Sequence, residues 1–155
     1  MKFIPVASPV IKEEEARAVY DVVKSGWISM GRKVKEFENM VCEYTGSRHS
    51  IAMNNGTSTL HAILMALDIG PGDEAIIPTL TYISSANVVL YQGATPVFCD
   101  NDPLTYNVTA ESIREKISSN TKAIMTVDMK GLPVDFDSFK ELSAETGIPF
   151  ISDSA

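Results

Sequence analysis

The most constraining feature of the sequence is an alternation of short apolar segments with longer amphipathic ones, which begins near His49 and continues to Ala155. The short segments are apolar on consecutive positions, as in strands that are covered on both faces. We predict such strands over 50–53, 74–77, 95–99, 122–127 and 149–152. This alternation predicts an α/β fold of three layers around a mainly parallel sheet.

The amphipathic segments between these strands predict helices over 57–67, 84–91, 110–118 and 136–145. Right-handed crossovers then bring the loops that follow the strands together at the carboxyl edge of the sheet. Ahead of this region we predict two amphipathic helices, the first ending near Gly26 and the second at Gly46. We therefore divide the chain into an N-terminal helical segment, 1–48, and the first part of a larger domain, 49–155, whose sheet is incomplete at the C-terminus.

The composition is that of a soluble globular protein, with 45% hydrophobic and 21% charged residues. A net charge of −7 argues against nucleic acid or an anionic membrane as a partner. No apolar run reaches the length of a membrane span, and prolines and glutamates near the N-terminus argue against a signal peptide. Cys42, Cys99, His49 and His61 lack the spacing of metal ligands, so we predict no metal site and a cytoplasmic protein with reduced thiols.

A polar loop, Asn54-Asn55-Gly56-Thr57-Ser58, follows the first predicted strand and opens a helix. Free backbone N–H groups and the helix dipole make this point favourable for a phosphate, and the hydroxyls of Thr57 and Ser58 add donors. A simpler interpretation stays open, in which Asn55 or Thr57 only caps the helix. The loop is neither a P-loop nor a GxGxxG motif, which makes ATP and NAD poor candidates.

Further side chains are predicted to reach the same edge. Tyr82 follows the second strand, where its ring would either stack on a flat heterocycle or pack under a neighbouring helix. Asp153 ends the fifth strand, which we expect to be central, so that its partly desolvated carboxylate needs a cationic partner. That partner would be a protonated ring nitrogen, an arginine, a metal or a helix N-terminus. Asp100 and Asp102 have turn-like neighbours and are interpreted as turn residues.

Eight short motifs follow one another along nearly the whole chain. They are Ser25-Gly26-Trp27-Ile28-Ser29, Asn55-Gly56-Thr57, Leu60-His61, Gly70-Pro71-Gly72-Asp73-Glu74, Pro78-Thr79-Leu80-Thr81-Tyr82, Gly93-Ala94-Thr95-Pro96-Val97-Phe98, Thr121-Lys122-Ala123-Ile124 and Asp153-Ser154-Ala155. In order and spacing, these motifs resemble the N-terminal part of the DegT/StrS-type sugar aminotransferases. Those are pyridoxal-phosphate enzymes with the aspartate-aminotransferase fold, known as fold type I.

The resemblance implies pyridoxal 5'-phosphate as the cofactor and assigns contacts to five residues. Gly56, Thr57 and Ser58 match the cradle of the cofactor phosphate. Tyr82 matches the aromatic residue that lies over the pyridine ring. Asp153 matches the acid that pairs with the ring nitrogen and keeps it protonated, so that the ring can accept electrons.

The resemblance also implies an activity, the transfer of an amino group from an amino acid such as glutamate to a keto-deoxy sugar carried on a nucleotide. Trp27 and Ser29 match a loop expected to border the nucleotide-sugar site. A homodimer with a shared active-site cleft is implied as well. Two departures from the family pattern leave these cofactor contacts in place: Asp128-Met129-Lys130-Gly131 replaces a histidine and tyrosine before the glycine, and Ser152 replaces a glutamate.

No catalytic residue is assigned within the chain, because the lysine that forms a Schiff base in this family is expected beyond Ala155. Lys122 is predicted at the wrong edge of the sheet, and Lys130, at the right edge, does not fit the lysine motif. We expect these 155 residues alone to be inactive and to bind the cofactor weakly.

Two alternatives stay open. A branch of the family resembles sugar 3-dehydratases, in which a histidine replaces the lysine. A truncated, non-catalytic product would instead act as a binding or dimerising module, and its exposed sheet edge would make it aggregate or require a partner.

Overall fold

The computed structural model describes residues 3–5 and 8–155. Its contacts divide the chain into two compact units, Met1–Ala52 and Met53–Ala155. The division after residue 48 that we drew from the sequence stays a prediction about the whole protein.

The first unit contains two helices, α1 (Glu13–Lys24) and α2 (Arg32–Thr45). The backbone N–H of Lys12 donates to the Glu15 carboxylate at 2.7 Å, and three glutamates in the first turn of α1 complement the helix dipole. Gly46, with φ of 71°, ends α2 in the left-handed conformation that glycine adopts without strain. Neither helix contains a buried residue.

The prediction of a strand over 50–53 is wrong. Within the described residues, this segment pairs with no strand, and the N–H of Ala52 instead donates to Glu38 Oε1 at 3.0 Å. That hydrogen bond lowers the pKa of Glu38 from its ordinary value. A short apolar run becomes a strand only where a partner ladder accepts its amides, and here a carboxylate side chain takes that role.

The second unit alternates helices and strands, as the sequence predicted. Its elements are α3 (Gly56–Ala66), β1 (Glu74–Pro78), α4 (Ser84–Tyr91), β2 (Thr95–Cys99), α5 (Ala110–Arg114), β3 (Thr121–Val127), α6 (Phe136–Thr146) and β4 (Phe150–Asp153). The four strands are all parallel, in the order β2-β1-β3-β4. In the described part of the chain, no helix has the length and apolar character that crossing a membrane requires.

Alternate strand residues are buried on opposite faces of the sheet. One face packs against α3 and α4, through a cluster that includes Leu60, Leu64, Ala75, Ile77, Val88, Ala123, Met125 and Ile151. The other face packs against α5 and α6, through a cluster that includes Ile76, Ile113, Ile124, Val134, Phe139, Leu142 and Ile148. The prediction of a three-layer α/β fold with a parallel sheet is therefore confirmed.

One detail of the prediction is corrected. The helix α5 ends at Arg114 rather than at residue 118, because the chain tightens into turns in which Lys116 N–H donates to Ile113 O at 2.9 Å. Among the described residues β4 pairs with β3 alone, and the central place expected for the strand that carries Asp153 stays a prediction about the whole protein.

Candidate functional site

All four strands end at one edge of the sheet, at Pro78, Cys99, Val127 and Asp153. The helix α3 packs on the face of β1 and β3 and joins β1 through the short connection 67–73. A helix that packs on a sheet and leads into a strand by a short connection runs antiparallel to it, so the N-terminus of α3 lies toward this carboxyl edge. The edge therefore brings the first turn of α3 together with the loops that follow the strands.

The first turn of α3 is capped by Asn55, whose Oδ1 accepts the N–H of Ser58 at 2.8 Å. The interpretation of Asn55 as a cap is thus confirmed. The cap leaves other donors of this turn free. The N–H groups of Gly56 and Thr57 and the hydroxyls of Thr57 and Ser58 have no hydrogen-bond partner among the described residues. A Cβ placed on Gly56 would meet nothing within 4 Å, so this turn is open to a ligand.

Replacing Asn55 with alanine is expected to destabilise the fold by about 1 kcal/mol, because the N–H of Ser58 loses its acceptor. Urea unfolding of the full-length protein, followed by circular dichroism, measures this change. The matched control is Asn54→Ala, since no hydrogen bond of the Asn54 side chain is present in the described structure. An equal loss in the two variants would contradict the assignment of Asn55 as the cap.

Tyr82 follows β1, in a loop that is fixed to the end of β2. The N–H of Thr79 donates to Cys99 O at 2.9 Å, and the N–H of Leu80 donates to Asn101 Oδ1 at 2.9 Å. The side chain of Tyr82 is 74% exposed. No helix of the described residues covers this side chain, so the alternative in which the tyrosine packs under a neighbouring helix is wrong for this part of the protein, and its ring is available for stacking.

Asp153 lies on the same sheet face as the open turn of α3. Side chains alternate along a strand, so Asp153 shares the face of Ile151, which belongs to the core formed with α3 and α4. The carboxylate is half-buried and accepts the N–H of Ala155 at 3.3 Å. Among the described residues no lysine, arginine or histidine forms an ion pair with it. The predicted need of Asp153 for a cationic partner is thus not met by these side chains.

The turn residues have structural roles. Hydrogen bonds from the N–H groups of Thr105 and Leu104 lower the pKa of Asp102, which confirms its interpretation as a turn residue. Burial raises the pKa of the Cys99 thiol, which makes it an unreactive core residue. Lys122 is the second residue of β3 and lies near the opposite edge of the sheet, as predicted.

Sequence reasoning missed two residues that shape the carboxyl edge. Asn107 is buried and bonds the loop after β3, with Nδ2 donating to Leu132 O at 2.8 Å and Oδ1 accepting Met129 N–H at 3.1 Å. Asp128 follows β3 directly and contacts the segment after Asp153. The position of Asp128 at a strand end was the available signal, but the sequence does not reveal its partners.

Trp27 and Ser29 belong to the first unit, in the turn between α1 and α2. The Trp27 ring N–H donates to Met30 O at 3.1 Å, and the ring covers Gly31 so closely that a Cβ there would lie 2.4 Å from Trp27 Nε1. Gly31 thus permits this turn to close on the ring. The predicted role of Trp27 and Ser29 at a substrate site stays a prediction.

Comparison with known proteins places these features in a family. The model of the DegT/DnrJ/EryC1/StrS aminotransferase family matches residues 9–155. GDP-perosamine synthase of Caulobacter vibrioides is 46% identical over 153 residues, which are 98% of this chain and 41% of that protein.

Two solved structures extend the likeness to the fold. Spr1654 of Streptococcus pneumoniae, in its PMP form, superimposes with a TM-score of 0.92 at 33% identity, over 98% of this chain and 42% of that one. E. coli GDP-4-keto-6-deoxy-D-mannose-3-dehydratase with bound hydrated PLP superimposes with a TM-score of 0.90 at 27% identity, over 97% of this chain and 40% of that one. The chain thus spans about two fifths of the length of the relatives it matches. By sequence and by fold, this chain belongs to the DegT/DnrJ/EryC1/StrS aminotransferase family.

Proposed function

We propose that this chain provides the phosphate- and ring-binding part of a pyridoxal 5'-phosphate site, in an enzyme that aminates a nucleotide-linked keto-deoxy sugar. One observation carries the proposal. The half-buried Asp153 carboxylate, without a cation among the described residues, shares a sheet face with the open first turn of α3. A ligand with a phosphate and a basic ring nitrogen would satisfy both.

The first turn of α3 fits the cofactor phosphate. The N–H groups of Gly56 and Thr57, with the hydroxyls of Thr57 and Ser58, provide donors at the positive end of the helix dipole. Because Gly56 has no side chain and nothing lies where a Cβ would be, a phosphate can approach the backbone closely. These residues would fix the phosphate end of the cofactor.

Asp153 and Tyr82 fit the ring. The Asp153 carboxylate would hold a proton on the ring nitrogen, and the exposed Tyr82 ring would cover one face of the pyridine. When bound, the cofactor supplies an electron sink for the carbon that loses a proton. The residues of this chain would orient the cofactor ring and keep its nitrogen protonated.

The substrates and partners of the whole protein are part of the proposal. The name of the GDP-perosamine synthase supports a nucleotide-linked sugar as amino acceptor. The donor we propose is an amino acid such as glutamate. Trp27 and Ser29 would border the sugar-nucleotide site. We also propose that the whole protein is a homodimer with a shared active-site cleft. We propose a cytoplasmic location as well, and the two free thiols, Cys42 and Cys99, agree with it.

A sugar 3-dehydratase is the second candidate function, because the E. coli dehydratase has a closely similar fold over this chain. The deciding lysine or histidine is expected beyond Ala155. Mass spectrometry of the sugar product of the full-length protein separates the candidates. A transaminase replaces the keto oxygen with an amino group, a dehydratase of this kind removes a hydroxyl group from the sugar, and a non-catalytic module leaves the sugar unchanged.

The Tyr82 ring provides a test of the cofactor site. Replacing Tyr82 with alanine is expected to weaken binding of pyridoxamine phosphate to the full-length protein about tenfold, because the stacking partner is lost. Tyr82→Phe is the matched control and should bind as tightly as the native protein. Neither change should shift the unfolding midpoint, since the side chain is 74% exposed. Unchanged affinity in Tyr82→Ala, measured by calorimetry, would contradict the placement of the ring.

A further inference from the structure

We propose that Asp128 is a positioning residue that fixes the end of β4 and so holds the Asp153 carboxylate in place for the cofactor ring. This inference rests on the proposed function of Asp153. The contacts that carry it are hydrogen bonds of Asp128 itself, which the family resemblance does not assign.

Asp128 bridges the ends of two adjacent strands. Its N–H donates to Asp153 O at 2.9 Å, which continues the β3–β4 ladder beyond the last pair, Val127 and Asp153. Its Oδ2 accepts the hydroxyl of Ser154 at 2.6 Å. Its Oδ1 accepts the N–H of Val134 at 3.1 Å, so both carboxylate oxygens are used. Asp128 thus holds the backbone of Asp153 and the side chain of the next residue.

The position of the Asp153 carboxylate depends on where the end of β4 is held. Among the described residues, β3 supplies the ladder bonds of β4. A carboxylate that must meet one ring nitrogen loses effectiveness when its backbone shifts by a fraction of an ångström. The hydrogen bonds of Asp128 to Asp153 O and to the Ser154 hydroxyl restrict that movement.

Asp128 is itself held by the turn that it opens. The N–H of Gly131 donates to Asp128 O at 3.1 Å and closes the turn. Lys130 adopts φ of 55°, a left-handed conformation that is uncommon for a lysine. Buried Asn107 bonds Met129 and Leu132 on the other side of the turn. The turn therefore connects the core to the end of β4 through Asp128.

Variants of Asp128 and Ser154 separate positioning from general stability. Asp128→Ala removes both acceptors, and it also leaves the N–H of the buried Val134 without its partner. Ser154→Ala removes the bond to Oδ2 and a 3.2 Å hydrogen bond with the Ser152 hydroxyl, but it leaves the N–H of Val134 bonded, so it tests the proposal where Asp128→Ala fails to fold. Asp128→Asn retains an acceptor for Val134 and an amide that can donate to the Ser154 hydroxyl, and should rescue most of the effect. Ser119→Ala, at an exposed site without side-chain hydrogen bonds in the described structure, is the control.

The readout is a ratio of two affinities, measured by calorimetry on the full-length protein. One ligand is pyridoxamine 5'-phosphate, and the other is its analogue with a CH group in place of the ring nitrogen. Both share the phosphate and the ring, so a general loss of structure weakens both alike. The preference for the nitrogen ligand reports the contact with Asp153. Asp128→Ala and Ser154→Ala are expected to reduce that preference about tenfold, and Asp128→Asn and Ser119→Ala to keep most of it.

The outcomes distinguish this inference from the function on which it rests. A native protein that binds both ligands equally would overturn the proposed role of Asp153, and the inference with it. A native preference that survives in folded Ser154→Ala and Asp128→Ala would overturn the inference alone. Equal weakening of both ligands in these variants, with the ratio unchanged, would mean that Asp128 only stabilises the fold.

Discussion

Replacing Asp153 with alanine is expected to lower the rate of the proposed amino transfer by the full-length protein about a hundredfold to a thousandfold, as does removal of other fixed electrostatic partners in active sites. The carboxylate shares a face with the open first turn of α3, and no other anionic side chain of the described residues is assigned to the ring nitrogen. Without it the nitrogen loses its proton, and the ring becomes a poorer acceptor of electrons.

The control for this substitution is Asp137→Ala. Asp137 is exposed, in the first turn of α6, which covers the opposite face of the sheet. Its removal should leave the rate within about twofold of the native rate, because the interaction of its carboxylate with the helix dipole is screened at the surface. Circular dichroism should show both variants folded. A folded Asp153→Ala variant with the native rate would contradict the proposed pairing.

The largest effect on stability is expected from Phe139→Ala. Phe139 is 1% exposed and belongs to the core between the sheet and α5 and α6. Truncating a buried phenylalanine to alanine costs about 3–5 kcal/mol, through lost apolar burial and the cavity that remains. This is a large share of the roughly 5–15 kcal/mol by which domains are stable. The unfolding midpoint in urea should fall accordingly.

Phe136→Ala is a matched control for Phe139→Ala. Phe136 lies one turn earlier in α6 and contacts the same partner, with its ring centroid 5.1 Å from that of Phe150, against 6.0 Å for Phe139. It is 55% exposed, so its truncation should cost only about 1 kcal/mol. Similar losses in the two variants would contradict the description of this core.

The second unit was largely predictable because each of its strands is apolar on both faces. In β3, Ala123 and Met125 pack toward one helix layer and Ile124 toward the other. That pattern fixes both the strand and its burial between two layers. The apolar run over 50–53 has the same composition but no partner ladder within the described residues, and composition alone cannot supply one.

The site was predictable in its positions and less so in its contacts. Strand ends and a helix start can be located from sequence, which brought Thr57, Tyr82 and Asp153 to one edge. The exposure of Tyr82 depended on how its loop bonds to Asn101, a residue that follows a different strand. The bonds of Asp128 likewise join two loops that are distant in sequence. Such contacts arise only once the strands are paired.

In the proposed site, Asp153 holds a proton on the cofactor's ring nitrogen. Nitrogen-15 NMR of ring-labelled pyridoxamine 5'-phosphate bound to the full-length protein measures that proton directly, because protonated and unprotonated pyridine nitrogens have well-separated chemical shifts. We predict a protonated nitrogen in the native protein at neutral pH and an unprotonated one in Asp153→Asn. An unprotonated nitrogen in the native protein, or the same chemical shift in both proteins, would contradict the proposed pairing of Asp153 with the ring nitrogen.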